Sequence, residues 1–227
     1  MSHSPYLPFL QTLANNNHKD WMDANRDWYQ SIRKAFLKDV EYLLKGITAW
    51  EPELATLQPK DCVFRQNRDI RFSANKDPYK TNLATYFARG GKKSMGPGYY
   101  LHIQPEASFL AGGIWMPPAD ILKKIRQEID YNGAQLVKIL ENPSIKKHFN
   151  GIEGDQLKTT PKGFDAGHPY IDLLRFKSFI ISHPIADKDI ASGKFLDIAL
   201  TRFQLLLPFY NFLHQALDEA ESGEGLL

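Results

Sequence analysis

The sequence predicts an α+β fold in which a central antiparallel sheet is packed by N-terminal and C-terminal helices. Three observations predict it. Trp21, Trp28, Ile32, Phe36, Val40, Leu43 and Leu44 form an apolar stripe at helical spacing near the start. Three runs rich in strand formers follow between residues 83 and 115, joined by connections too short for parallel crossovers. Beyond Ser192, Leu196, Ala199, Leu200, Phe203, Leu206 and Leu207 return to a helical face.

Taken in order, Tyr6, Leu7, Phe9, Leu10 and Leu13 give a first helical segment, which Asn15-Asn16-Asn17 interrupts. Asn17 is expected to cap the next helix, with Asp20 at its positive end. That helix should run from His18 to about Thr48 with a break near Asp23, Gly46 acting as terminator. Its polar side (Lys19, Asp23, Arg33, Lys34, Lys38 and Glu41) reads as a solvated face.

Leu83–Arg89 reads as a strand, and the glycines of residues 90–98 as a loop. Tyr99, Leu101 and Ile103 then alternate with Tyr100, His102 and Gln104, a strand with two unlike faces. Residues 107–115 return as a third strand, whose Gly112-Gly113 marks a bulge or a close backbone approach. Pro118 sits near the start of a helix carrying Ile121, Leu122, Ile125 and Ile129, with further helical turns over residues 133–141. Asn142-Pro143 opens a short helix, residues 150–175 are loop-rich, and residues 176–182 form a last strand. Ser192 is expected to cap the final helix, Pro208 to kink it, and the end E-A-E-S-G-E-G-L-L to fray. With no repeat or low-complexity linker, residues 1–227 read as a single domain.

Composition narrows the function. Hydrophobic residues at 43% and charged residues at 24% are those of a soluble globular protein. No apolar run approaches the roughly 18 residues that span a bilayer, and the N-terminus lacks the features of a secretory signal. The lone Cys62 allows no internal disulfide, so a reducing cytoplasm is expected and no membrane partner. Cys62 lies in an apolar run and reads as a small buried hydrophobe. The histidines show no ligand spacing, so no metal and no cofactor is expected.

Charge concentrates in one place. Residues 62–93 hold eight of the 28 Lys and Arg but only two of the 26 Asp and Glu, a local +6 in a chain of net +2. Arg65, Arg68 and Arg71 recur every third residue, followed by Lys76 and Lys80. An arginine presents a rigid fork that takes carboxylate or phosphate with two parallel bonds, and lysine adds a point charge. Phe64, Ile70, Phe72 and Tyr79 interleave with these cations and should hold the segment against a core.

These five cations are the expected binding set for a small anionic ligand, phosphate- or carboxylate-bearing, with their heads converging on one concavity. His102, Tyr79 and Asp69 are the candidate proton carriers if the site is enzymatic. Two other readings stand beside it: a nucleic-acid module using Lys92 and Lys93 as well, against which the low net charge weighs, and a structural network of internal ion pairs. The run Gly90–Ser94 fails the phosphate-loop spacing, since Tyr86 stands where the first glycine belongs. The loop of residues 90–98 is expected to be mobile and to reach the basic segment as a lid.

The chain resembles domain-of-unknown-function family 2461, uncharacterised proteins of bacteria and fungi. The family pattern F-R-x-x-R-D-x-R-F-S-x-x-K-x-P-Y-K matches from Phe64 to Lys80. N-N-x-x-x-W at Asn16–Trp21, G-Y-Y-L-H-I-Q-P at Gly98–Pro105, G-G-I-W-M-P at Gly112–Pro117 and P-K-G-F-D-x-x-H-P at Pro161–Pro169 extend the likeness over about residues 5–217. Asn75 stands where many members have Asp. The resemblance implies a cytoplasmic α+β domain and carries over no catalytic residue.

Overall fold

A computed structural model describes residues 4–223. In chain order the elements are α1 (Tyr6–Asn15), α2 (Lys19–Ala24), α3 (Arg26–Ile47), α4 (Pro59–Cys62), β1 (Leu83–Ala88), β2 (Gly98–Ile103), β3 (Phe109–Ile114), α5 (Ala119–Leu140), α6 (Pro143–Lys146), α7 (Ile171–Leu174), β4 (Phe179–Pro184), α8 (Asp187–Ser192), α9 (Phe195–Leu205) and α10 (Leu207–Gly223). The strands make one antiparallel sheet in the order β1-β2-β3-β4, so the predicted α+β class holds. The described residues fall into two compact units. One holds the residues up to Lys93 with Tyr100–Leu110 and Pro184–Thr201; the other holds Ser94–Tyr99, Ala111–His183 and those from Arg202 on.

In the first unit, the predicted long helix is two. Asn25 leaves the helical region (φ −110°, ψ 23°) between α2 and α3, two residues from the expected break. The N-cap of α2 is His18, whose Nδ1 accepts from the Trp21 amide at 3.3 Å; Asn17 is therefore not the cap. α3 buries Ile32, Phe36, Val40, Leu43, Leu44 and Ile47 on one side. Against it pack Tyr6 of α1, edge-on to Phe36 at 5.7 Å, and Phe9, edge-on to Trp28 at 5.2 Å. Gly46 lies inside the helix instead of ending it. A Cβ there would stand 2.5 Å from Leu200 Cδ2, so its role is close packing. Ser192 ends α8, a helix the apolar pattern did not reveal, and Gly193 at φ 79° turns the chain into α9.

In the second unit, α5 and α10 pack together. α5 buries Ile125, Ile129 and Leu136 and bends at Asn132 (φ −121°, ψ 24°), where Gly133 leaves room for the Tyr170 ring. Gly112 and Gly113 meet the predicted close approach. A Cβ on Gly112 would lie 2.8 Å from Leu206 Cδ1, and one on Gly113 only 1.9 Å from the Phe179 carbonyl oxygen. The helix breaks at Leu206, with α9 ending at Leu205 and α10 beginning at Leu207, so Pro208 sits in the first turn of the restarted helix. α10 continues to Gly223, and residues 224–227 lie outside the described residues. No helix of the described residues is long and apolar enough to cross a membrane.

Candidate functional site

The basic segment folds as an irregular hairpin that prolongs β1. Val63 pairs with Thr85, and the Phe64 amide donates to the Ala84 carbonyl at 3.0 Å. Further out, Lys80 donates to the Gln66 carbonyl at 2.8 Å, Asn67 pairs with Tyr79, and Arg68 donates to the Pro78 carbonyl at 2.9 Å. Between these two sets the register slips by two residues, because Lys80 to Ala84 spans four positions against two from Gln66 to Phe64. The surplus residues form a bulge, and the buried Gln66 fills it: its Nε2 donates to the Lys80 carbonyl and to the Asn82 carbonyl, the latter at 3.3 Å. Bulges re-aim side chains, and this one sets Lys80 and Asn82 over the sheet face that carries Tyr100 and His102.

The tip of the hairpin is held by its own charges. Arg71 takes both oxygens of Asp69, Nε at 2.9 Å and Nη2 at 2.7 Å. Arg68 donates to the Asp77 carbonyl at 3.0 Å and to Ser73 Oγ at 3.2 Å, and Lys76 donates to the Ile70 carbonyl at 3.1 Å. Phe72 points outward with 96% of its surface exposed, so it does not anchor the segment as its apolar character predicts. The reason is local. A tip that satisfies its polar groups internally has no need of the core, and the sequence spacing does not reveal which carbonyl each cation will find.

The five predicted cations therefore do not converge. Arg68, Arg71 and Lys76 serve the tip, whereas Arg65 and Lys80 stay at the base. Neither Arg65 nor Lys80 forms an ion pair among the described residues. Lys80 Nζ lies 5.3 Å from the Phe64 ring centroid, half-buried, and burial followed by the Arg65 charge pushes its pKa down. Asp69 feels Arg65 too, but its oxygens are already taken by Arg71, which holds that carboxyl below the usual range.

On the sheet face beneath, His102 is fixed from every side. Phe109 stacks on its ring at 4.9 Å and 18°. Its Nδ1 lies 3.0 Å from the Tyr100 hydroxyl and 3.4 Å from Asn82 Nδ2, and its Nε2 lies 3.0 Å from Gln104 Oε1. Two donors at Nδ1 and an acceptor at Nε2 fit the neutral ring with its proton on Nε2. Burial and the Lys80 charge lower its pKa, opposed by the Gln104 contact, so it stays neutral at pH 7. Burial pushes the Tyr100 hydroxyl up to about 12, which keeps it a donor.

The other candidate proton carriers lie elsewhere. Tyr79 is buried on the opposite side of the hairpin, lining a cavity of about 100 Å³ with Met22, Arg26 and Tyr29. Asp69 is bound at the tip. Cys62 is fully buried and burial pushes its thiol up to about 12, as the apolar run predicts. Sequence reasoning placed Tyr100 and Gln104 on the His102 face by alternation. It missed Asn82, which enters only through the bulge.

Gly91–Lys93 make a single 3₁₀ turn, and Lys92 Nζ donates to the Lys60 carbonyl at 2.6 Å. Lys92 shares a cavity of about 210 Å³ with Arg65, so this part of the loop lies within reach of the basic segment as expected.

No curated protein and no solved structure matches the chain. A family described as a conserved hypothetical protein (DUF2461) matches residues 5–212. That span takes in the whole hairpin and the His102 face, and the chain belongs to this family.

Proposed function

We propose that this protein binds a small anionic ligand, phosphate- or carboxylate-bearing, at the base of the hairpin between Arg65 and Lys80. One observation carries the reading: two neighbouring cations, one of them half-buried, feel one another's charge, and neither forms an ion pair among the described residues. Like charges disfavour one another, and a bound anion relieves that cost. Neutral His102, with Tyr100 and Asn82 on its Nδ1 side, then supplies an ordered polar wall and the candidate proton carrier. Arg68, Arg71 and Lys76 support the ligand set indirectly by shaping the tip. The buried thiol of Cys62 fits a reducing compartment, so the proposal places the protein in the cytoplasm.

The test is calorimetric titration at low salt with inorganic phosphate, sulfate, citrate and a phosphorylated sugar. Each charge-assisted contact contributes about 1.5–3 kcal/mol, so Lys80→Met or Arg65→Met should weaken the best anion roughly 10- to 100-fold. Binding that survives both substitutions, or no binding by any anion of the panel, overturns the reading.

A further inference from the structure

A longer cationic surface lies on the same unit, and the small-anion proposal uses only its Arg65 end. The cavity of about 210 Å³ beside Arg65 adjoins another of about 420 Å³, and both are lined by Arg33, Leu37 and Lys60. Together they form a groove between α3 and the Gln58–Asn67 run. Six cations line it: Arg33, Lys34, Lys38, Lys60, Arg65 and Lys92. Glu41 is the single acid on its walls, and none of the six cations forms an ion pair among the described residues. Read from the sequence, Arg33, Lys34 and Lys38 are a solvated helix face; the structure gives that face an opposite wall.

We propose that this groove binds a single strand of nucleic acid. The α3 side chains on its wall, from Gln30 to Glu41, recur at steps of three and four. Eleven steps at about 1.5 Å per residue make a wall about 16 Å long. An isolated phosphate occupies a small part of that length, whereas a phosphodiester chain repeats its charge along it. Half-buried Tyr29 and Phe64 stand at the Arg65 end; Tyr29 stacks on Phe9 and Lys80 lies over Phe64, and the part of each ring that lines the cavity offers unpaired bases an aromatic surface. The base faces of a duplex are already stacked, so the strand must be single. A net charge of +2 gives no broad attractive field, so the footprint is short and binding is local to the groove.

The test uses the full chain, fluorescent 10-mers of deoxythymidine and of uridine, and inorganic polyphosphate of similar charge. Six phosphate contacts predict a slope of about −4 in log affinity against log salt, at about −0.7 per contact for single strands. The triple variant Lys34→Glu, Lys38→Glu, Lys60→Glu should weaken oligonucleotide binding at least 30-fold at an unchanged melting temperature. The milder Lys38→Gln, Lys60→Gln pair should flatten the slope by about 1.4, at the same ~0.7 per lost contact. Unchanged affinity in the charge-reversed protein overturns the proposal. Polyphosphate bound as tightly as both oligonucleotides also overturns it, since the aromatic end then contributes nothing. Oligonucleotide binding that Lys80→Met removes and the triple variant leaves intact assigns the strand's phosphate to the Arg65–Lys80 site instead.

Discussion

The side-chain amide of Asn17 grips the peptide of Tyr79 at both ends. Its Nδ2 donates to the Tyr79 carbonyl at 2.9 Å, and its Oδ1 accepts from the Tyr79 amide at 3.1 Å, across 62 residues of chain. The asparagine run between α1 and α2 is thus a clamp on the hairpin, next to Lys80. Replacing it by Ala leaves a half-buried donor and acceptor without their partner, which costs about 1–3 kcal/mol. At roughly 2–4 °C per kcal/mol for a chain of this size, Asn17→Ala should melt about 2–12 °C lower. Anion affinity should fall with it, because Lys80 loses its fixed backbone; a thermal scan and a phosphate titration on one sample read both.

Lys80→Met separates binding from stability. Burial and the neighbouring Arg65 charge make the ammonium a cost to the folded state, as its lowered pKa records. Met exchanges the ammonium over the Phe64 ring for an apolar thioether of similar length. The variant should hold or raise its melting temperature while losing anion binding, the trade expected of a binding residue. A marked fall in melting temperature would mean that Lys80 is a structural staple.

His102 makes stability depend on pH in a defined direction. Its folded pKa lies below the ordinary 6.5, so between those values the unfolded chain binds the proton more readily. The stability it contributes is present above about pH 6.5 and is lost as pH falls through the folded value. His102→Gln should flatten the denaturant midpoint between pH 7 and pH 5 relative to the parent. In the parent, NMR titration of the ring should report a midpoint below 6.5.

Two glycines with positive φ should respond unequally. Gly90 at φ 84° has open space where a Cβ would go, so Gly90→Ala carries backbone strain alone, about 1–2 kcal/mol. Gly113 at φ 125° would drive its Cβ into the Phe179 carbonyl, and that part of the β4 backbone cannot yield without breaking the sheet. Gly113→Ala should exceed the roughly 4–5 kcal/mol that marks an exceptional substitution and leave little folded protein. Soluble yield and denaturant midpoint distinguish the two.

Arg68→Ala should loosen the tip without unfolding the protein. Its guanidinium binds a carbonyl and a hydroxyl, so its loss strands no carboxylate. The loss should stay near 1 kcal/mol per bond, with faster proteolysis confined to residues 69–77.

Much of this architecture is legible in the chain itself. Helical steps of three and four, strand alternation and the Gly112-Gly113 pair each express a rule acting over a few neighbouring residues, and β1, β2 and β3 lie within two residues of where that rule puts them. The concentration of cations in residues 62–93 is likewise plain, and so is the sharing of one strand face by Tyr100, His102 and Gln104. Tertiary structure alone decided how those charges are used. Arg68, Arg71 and Lys76 close on their own loop, and a two-residue bulge plugged by Gln66 turns Lys80 and Asn82 toward His102. Arg33 and Lys60, far apart in sequence, face one groove. Periodicity records which side of an element is apolar, because burial sums over many weak contacts. The partner of a single donor instead depends on where a distant backbone lies to within a few tenths of an ångström, and that position exists only once the chain has folded.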